Sequence, residues 1–317
     1  MVTVNKGPVV SVGECMVELA RGPDGRFGQA FGGDTFNMAV YLARCGVNVA
    51  YATALGDDPY SAGILELART EGIGTGLIHI APGRMPGLYL IETTPQGERT
   101  FHYWRDRSPA RELFDGTAAD QVTAAMPAAP LVIFSGITLS LYNDAGLDRL
   151  ATAIADAKTA GARIAMDGNY RPRGWGGDSA RACRVMERFW RLADIALPTF
   201  DDEAALWGDA NPQATMQRLS TFGAGEIAVK HGPDGAFCQA GGETAGGEIT
   251  HVPIPARIVP VDTSAAGDSF NAAYLAARLR GEASAAAALA GHRLAAVVIQ
   301  HRGAIAPEAA TRSVLGR

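Results

Sequence analysis

Six short apolar runs, at residues 9–12, 49–54, 131–135, 163–167, 195–197 and 227–230, alternate with amphipathic segments of helical length at 35–44, 61–70, 143–160 and 180–192. This rhythm constrains the fold more than any other feature of the chain. Short, continuously apolar runs read as strands covered on both faces. Strand, helix, strand in succession implies right-handed crossovers and a mostly parallel sheet with helices on both sides, an α/β architecture. Ligands of such sheets bind beyond the carboxyl ends of the strands, so the chemistry is expected in the loops that follow them. No linker or repeat divides the 317 residues, and low complexity is confined to an Ala-rich helix at 283–296. A single α/β domain of this length is common, and residues 1–317 are read as one.

Composition removes several classes of function. A formal charge of −5 argues against nucleic acid or an anionic membrane as the main partner, so basic residues that matter should line a pocket. Cys15, Cys45, Cys183 and Cys238 form no Cys-x-x-Cys pair and read as reduced thiols of a cytoplasmic protein. Residues 1–13 run into a strand without a signal-type apolar region, and the apolar stretch 285–299 is broken by His292 and Arg293. The latter reads as a buried helix.

One segment departs from the rhythm. Residues 87–91 and 99–105 are extended and aromatic, joined through Pro95, Gln96 and Gly97, which suits a hairpin. The implied register sets Tyr89 opposite Tyr103 and puts Arg105 on the same face. Such a hairpin is either a sheet edge with two paired aromatics or a small β lid over a pocket. The strongest local signal lies at Val261-Asp262-Thr263-Ser264-Ala265-Ala266-Gly267-Asp268-Ser269-Phe270. Small residues at 264–267 lead into a helical pattern at 269–280, and free amides at a helix start form an anion site. The glycine spacing fits neither a Walker loop nor a dinucleotide fingerprint. Asp268 is either a carboxylate placed at a helix start by the dipole or a general base beside the anion site.

Residues 262–268 resemble the C-terminal signature of the ribokinase-like (PfkB) carbohydrate kinases, and Gly32-Gly33-Asp34-Thr35-Phe36-Asn37-Met38-Ala39 resembles their sugar-binding signature. Further matches run in order through 13–19, 86–89, 97–101, 103–105, 169–173 and 302–305, and look most like the sugar-acid branch of that family. The resemblance implies a ribokinase-like three-layer sandwich with a β lid built from roughly 14–34 and 86–106. It implies ATP and Mg²⁺, a sugar-acid substrate and homodimers or higher homo-oligomers paired through the lid. Position by position, it makes Asp268 the catalytic base and Ala265, Ala266 and Gly267 the anion hole. It makes Gly33, Asp34, Asn37, Tyr89, Tyr103, Arg105 and Arg171 substrate residues, with Asp268 at the accepting hydroxyl. ATP falls to Thr199, Lys230, Gly232, Asp234, Gly235, Ala266 and Gly267.

Two arginines suit a substrate carboxylate, because a guanidinium binds carboxylate in a bidentate manner. Without the resemblance, Arg105 and Arg171 would read as solvated surface charges or structural salt bridges. The chain departs from the family pattern in two places. The anion-hole glycine is Ala265. The Asn-x-x-Glu metal motif is replaced by Pro198-Thr199-Phe200-Asp201-Asp202-Glu203, which leaves Asp202 and Glu203 both open as the acid that organises Mg²⁺ through water. A response to a monovalent cation near Asp262 and Thr263 is also part of the family pattern.

Overall fold

A computed structural model describes residues 7–22, 24–93, 99–240 and 247–315. The hairpin turn expected at Pro95, Gln96 and Gly97 lies outside these residues, as do Glu98 of the neighbouring match and residues 1–6. Thirteen strands occur among the described residues: β1 (Val9–Val12), β2 (Met16–Arg21), β3 (Phe27–Gly32), β4 (Val49–Leu55), β5 (Ile78–Ile80), β6 (Leu88–Thr93), β7 (Arg99–Trp104), β8 (Leu131–Ser135), β9 (Arg163–Asp167), β10 (Ile195–Ala196), β11 (Glu226–Lys230), β12 (Ala236–Ala240) and β13 (Thr250–Val252). Nine form one sheet in the order β13-β12-β11-β10-β9-β8-β1-β4-β5. Pairing is parallel from β11 through to β5, while β12 and β13 add antiparallel at one edge.

Alternate residues of the central strands enter two different cores, which is why these strands read as continuously apolar. Val9, Ile133, Ala165, Ile195 and Ala228 point into a core shared with the helices Asp34–Arg44, Ala266–Leu279 and Ser284–Val298. Val10, Val132, Phe134, Ile164, Met166, Ile227 and Val229 point the other way, towards the helices Asp144–Thr159 and Ser179–Trp190. Period-2 side-chain alternation thus supplies both faces from the same strand. The helix expected at 269–280 begins three residues earlier, at Ala266, so Asp268 sits inside its first turn.

The remaining strands form a four-stranded sheet, β3-β2-β6-β7. Tyr89 faces Tyr103 in the β6–β7 register, as the sequence implied. One face carries Glu18, Tyr89, Tyr103 and a small apolar cluster around Met16, Tyr89 and Ile91. The other carries Phe27 and Trp104, 47% and 61% exposed. Gly33 lies where the chain returns from this sheet to the main body, and a Cβ there would stand 1.9 Å from the Glu14 carbonyl oxygen, so only glycine permits that close approach.

Candidate active site

The anion site expected from the small residues at 264–267 lies at the start of the Ala266–Leu279 helix. Ala265 precedes it at φ 57°, ψ 17°, a left-handed conformation that costs an L-residue about 1–2 kcal/mol. The loop is pinned by Asp262, whose carboxylate accepts the Ser264 amide at 2.7 Å and the Gly303 amide at 2.8 Å. First-turn amides of a helix have no partner one turn back, so the backbone at Gly267 and Asp268 presents donors and the positive end of the dipole. Ala266 itself donates to the Thr263 carbonyl at 3.3 Å. Asp268 is buried and accepts a 2.8 Å hydrogen bond from Asn37 Nδ2. Burial, followed by the nearby Asp34 charge, pushes its carboxyl up to about 8, against the opposing Asn37 bond. A carboxyl so poised takes a proton readily near neutral pH.

Asp34 opens the neighbouring helix, accepting from the Thr35 amide at 2.8 Å and from Asn169 Nδ2 at 2.8 Å. Burial raises its pKa as well. Asn169, at φ 33°, belongs to the loop after β9, so the bond joins two strand-end loops. The lid contributes Tyr89, which donates to the buried Glu18, and Tyr103, whose ring centroid lies 6.0 Å from that of Tyr89. The Arg105 guanidinium lies 6.0 Å from the Tyr103 ring centroid and is ion-paired with the buried Glu14. Glu14 Oε1 and Arg105 Nε are buried without a hydrogen-bond partner among the described residues. Arg171 is engaged separately: its Nη1 bonds both Asp202 carboxylate oxygens at 2.9 Å and the Tyr170 carbonyl at 2.7 Å. The two arginines therefore have different carboxylate partners. Arg173, from the Arg171 loop, donates to the Phe101 carbonyl of β7 at 2.8 Å and so ties that loop to the lid.

The nucleotide-side residues fall at the ends of β10 and β11. Thr199 caps the helix Phe200–Trp207 without using its side chain, and its backbone bridges to Lys230. Gly232 and Asp234 bound a single 3-10 turn, and Gly235 follows at φ 96°, where a Cβ would meet the Val252 carbonyl at 2.3 Å. Lys230, which the resemblance assigned to ATP, ends β11. Its buried ammonium donates to Asp167 Oδ1, Asn271 Oδ1 and the Leu197 carbonyl. The structure also separates the two candidate metal acids. Glu203 is fully buried and paired with Arg218 at 2.7 Å, with burial pushing its carboxyl up to about 7. Asp202 stays partly exposed. Among the described residues no group of three His, Cys, Asp or Glu side chains could hold a metal. A single partly exposed carboxylate such as Asp202 fits Mg²⁺, which binds nucleotide through few protein ligands and keeps several waters.

The sequence pattern of the pfkB family carbohydrate kinases matches residues 6–311. The chain belongs to this family. The 2-dehydro-3-deoxygluconokinase of Dickeya dadantii (strain 3937) is 38% identical over 304 residues, covering 94% of this chain and 96% of that protein. The crystal structure of 2-dehydro-3-deoxygluconokinase from Thermotoga maritima aligns with a TM-score of 0.83 at 20% identity, over 98% of this chain and 100% of that one. A ribokinase II from Escherichia coli, solved with ATP and Mg²⁺, aligns at 0.82 and 20% identity over 98% and 99%. The ribokinase-like architecture, a large mostly parallel sheet with a smaller one, is common to these structures.

Several residues of this carbohydrate kinase carry polar contacts that local patterns did not assign. Glu14, Glu18 and Asn169 lay within the matched motifs, but nothing in their spacing indicated buried partners 91, 71 and 135 residues away. Asp167 and Asn271 had only one signal, a polar residue at the end of an apolar strand and another within an apolar helix.

Proposed function

We propose that this chain, as one kinase domain with its lid at 14–34 and 86–106, transfers the γ-phosphoryl group of ATP to the 6-hydroxyl of 2-dehydro-3-deoxy-D-gluconate. The product is 2-dehydro-3-deoxy-6-phosphogluconate. The observation that carries the reading is the buried Asp268, bonded to Asn37 in the first turn of the helix Ala266–Leu279. That arrangement supports a proton acceptor beside an anion hole at the helix start. The similarity to a named 2-dehydro-3-deoxygluconokinase over 94% of the chain supports the choice of acceptor.

Asp34, Asn37 and Gly33 form the floor that orients the sugar acid, with Tyr89 and Tyr103 above it. Arg105 and Arg171 bind its carboxylate, each giving up part of its contact with Glu14 or Asp202. The far hydroxyl then points at Asp268. Asp268 takes the hydroxyl proton as the oxygen attacks the γ-phosphorus, the bond to the β-phosphate bridging oxygen breaks, and ADP leaves. The backbone of Ala265, Ala266 and Gly267 offsets the charge on the moving group, a contribution that dominates phosphoryl transfer. Thr199, Gly232, Asp234 and Gly235 line the nucleotide. Asp202 would hold Mg²⁺ through water, and the ion would add positive charge at the phosphates; Glu203 is committed to Arg218.

Lid pairing through the face with Phe27 and Trp104 gives a homodimer, which light scattering of the purified protein tests directly. Among the described residues no helix is long and apolar enough to cross a membrane, and a cytoplasmic location is part of this reading. Exchanging K⁺ for tetramethylammonium tests for a monovalent cation near Asp262 and Thr263. The deciding experiment is ATP consumption with Mg²⁺ across 2-dehydro-3-deoxygluconate, its galactonate epimer, fructose and ribose. Turnover confined to the sugar acids is expected. Preference for a neutral sugar would keep the kinase and overturn the roles of Arg105 and Arg171.

A further inference from the structure

Only three of the 28 Lys and Arg residues are lysines: Lys6, Lys158 and Lys230. Lys158 is half-exposed and bridges to Asp194. Lys230, in contrast, ends β11 and is 7% exposed. An ammonium has three protons to donate, and Lys230 has three acceptors: Leu197 O at 2.8 Å, Asn271 Oδ1 at 3.0 Å and Asp167 Oδ1 at 3.1 Å. The ring closes on itself, because the second Asp167 oxygen accepts Asn271 Nδ2 at 2.8 Å. Asp167 and Asn271 are themselves buried, at 3% and 0% exposure.

The ring's position gives it a purpose. Asp167, Leu197 and Lys230 stand at the carboxyl ends of three neighbouring strands, β9, β10 and β11, or immediately beyond them. Asn271 comes from the anion-hole helix, four residues after Gly267 and so on the same helical face. A Cβ placed on Gly267 would stand 3.8 Å from Lys230 Nζ. The charge therefore lies directly beneath the backbone that faces the migrating phosphoryl group. To reach a phosphate, Lys230 would have to abandon a buried acceptor and leave it unsatisfied. Arginine does not fit the role, since its planar fork cannot point three donors tetrahedrally from one atom.

We infer that Lys230 is a positioning residue that does not ligate ATP: locked by Asp167, Asn271 and the Leu197 carbonyl, it clamps the anion-hole helix to the strand ends and holds a fixed positive charge under Gly267. This rests on the kinase reading above. Its consequence is a split between turnover and nucleotide affinity. A charge held under the anion hole acts on the phosphoryl group in flight, whereas a phosphate ligand acts on bound ATP as well.

The test pairs calorimetric affinity for a Mg²⁺-bound non-hydrolysable ATP analogue with kcat on the best acceptor from the panel above. It uses Lys230→Met, Lys230→Arg and Asn271→Leu. Lys230→Met is expected to lower kcat by roughly 10²-fold while the analogue Kd moves by less than about threefold. Asn271→Leu, which keeps the charge but frees it, should lower kcat by about tenfold with the same unmoved Kd. Lys230→Arg should not restore turnover. If Lys230→Met fails to fold, the Asp167→Asn/Lys230→Met pair removes both opposite charges together and is held to the same split. A Kd that rises more than about tenfold in Lys230→Met would make Lys230 a phosphate ligand and overturn the inference, as would an unchanged kcat. Calorimetry needs no sugar, so an error in the acceptor shows in the panel and leaves the test of Lys230 intact. A wild-type protein that binds no nucleotide would overturn both readings together.

Discussion

The two ends of the site are built from different materials. At the phosphate end, the donors are backbone amides at a helix start, the supporting ring of Lys230, Asp167 and Asn271 is closed, and Asp262 pins the loop through two amides. At the proposed acceptor end, the candidate recognition groups are long charged side chains already engaged with carboxylates: Arg105 with Glu14, Arg171 with Asp202. Among the described residues, the ring at the first end is closed. The second has orphaned polar atoms, Glu14 Oε1 and Arg105 Nε, which are costly to leave buried and unpaired. On the proposed reading, the reaction common to the family is held by backbone, while selection among acceptors falls to side chains that can exchange one carboxylate for another.

That contrast can be broken from either end. The largest effect is expected for Asp268→Asn, which should cut kcat by roughly 10²–10⁴-fold with little change in ATP affinity. Near-normal turnover in steady-state assays would remove Asp268 from the mechanism. The same variant should be more stable than the wild type at alkaline pH. Asp268 in the folded protein titrates near 8, far above an unfolded aspartate near 3.9, so its contribution to stability is full below pH 4 and lost as pH rises to 8. Thermal melts should therefore show no gain for Asp268→Asn near pH 4 and a gain of a few degrees above pH 8. A gain that does not grow with pH would contradict the raised pKa.

Arg105→Ala probes the adjustable end. Losing charge-assisted bonds worth roughly 1.5–3 kcal/mol should raise KM for a sugar acid by about 10–100-fold and hardly alter that for a neutral sugar. An equal rise for both would make Arg105 a structural partner of Glu14 and erase the proposed contrast. The smallest effect belongs to Ala265→Gly. Relief of the left-handed strain, offset by the greater freedom of unfolded glycine, should leave a net gain of about 0.5–1 kcal/mol. Calorimetry should register this as a Tm rise of roughly 1–3 °C, with kcat little changed. A fall in Tm would mean that the alanine methyl packs to more advantage than its backbone costs.

The central strands were legible because each buries both faces, which leaves an unbroken apolar run; β1, β8 and β9 occur at the expected boundaries. The edge strands β12 and β13 were not, since short antiparallel additions carry little pattern of their own. The anion-hole loop was legible from its small residues, although the helix began earlier than its apolar pattern did, at Ala266 and Gly267, which are too small to register as periodic.

The sequence by itself therefore determined the parallel sheet and the family, and singled out Asp268 as the candidate base, because each is written in local spacing or in a contiguous motif. Tertiary structure alone decided which carboxylate holds which cation. Asp202 and Glu203 are adjacent in the chain, yet one meets Arg171 and the other Arg218. Lys230 was assigned to ATP from its motif alone; only the fold set Asp167, 63 residues earlier, and Asn271, 41 residues later, against it. Partnership between charges depends on distance in space, and a chain that folds through long crossovers sets that distance without regard to separation in sequence.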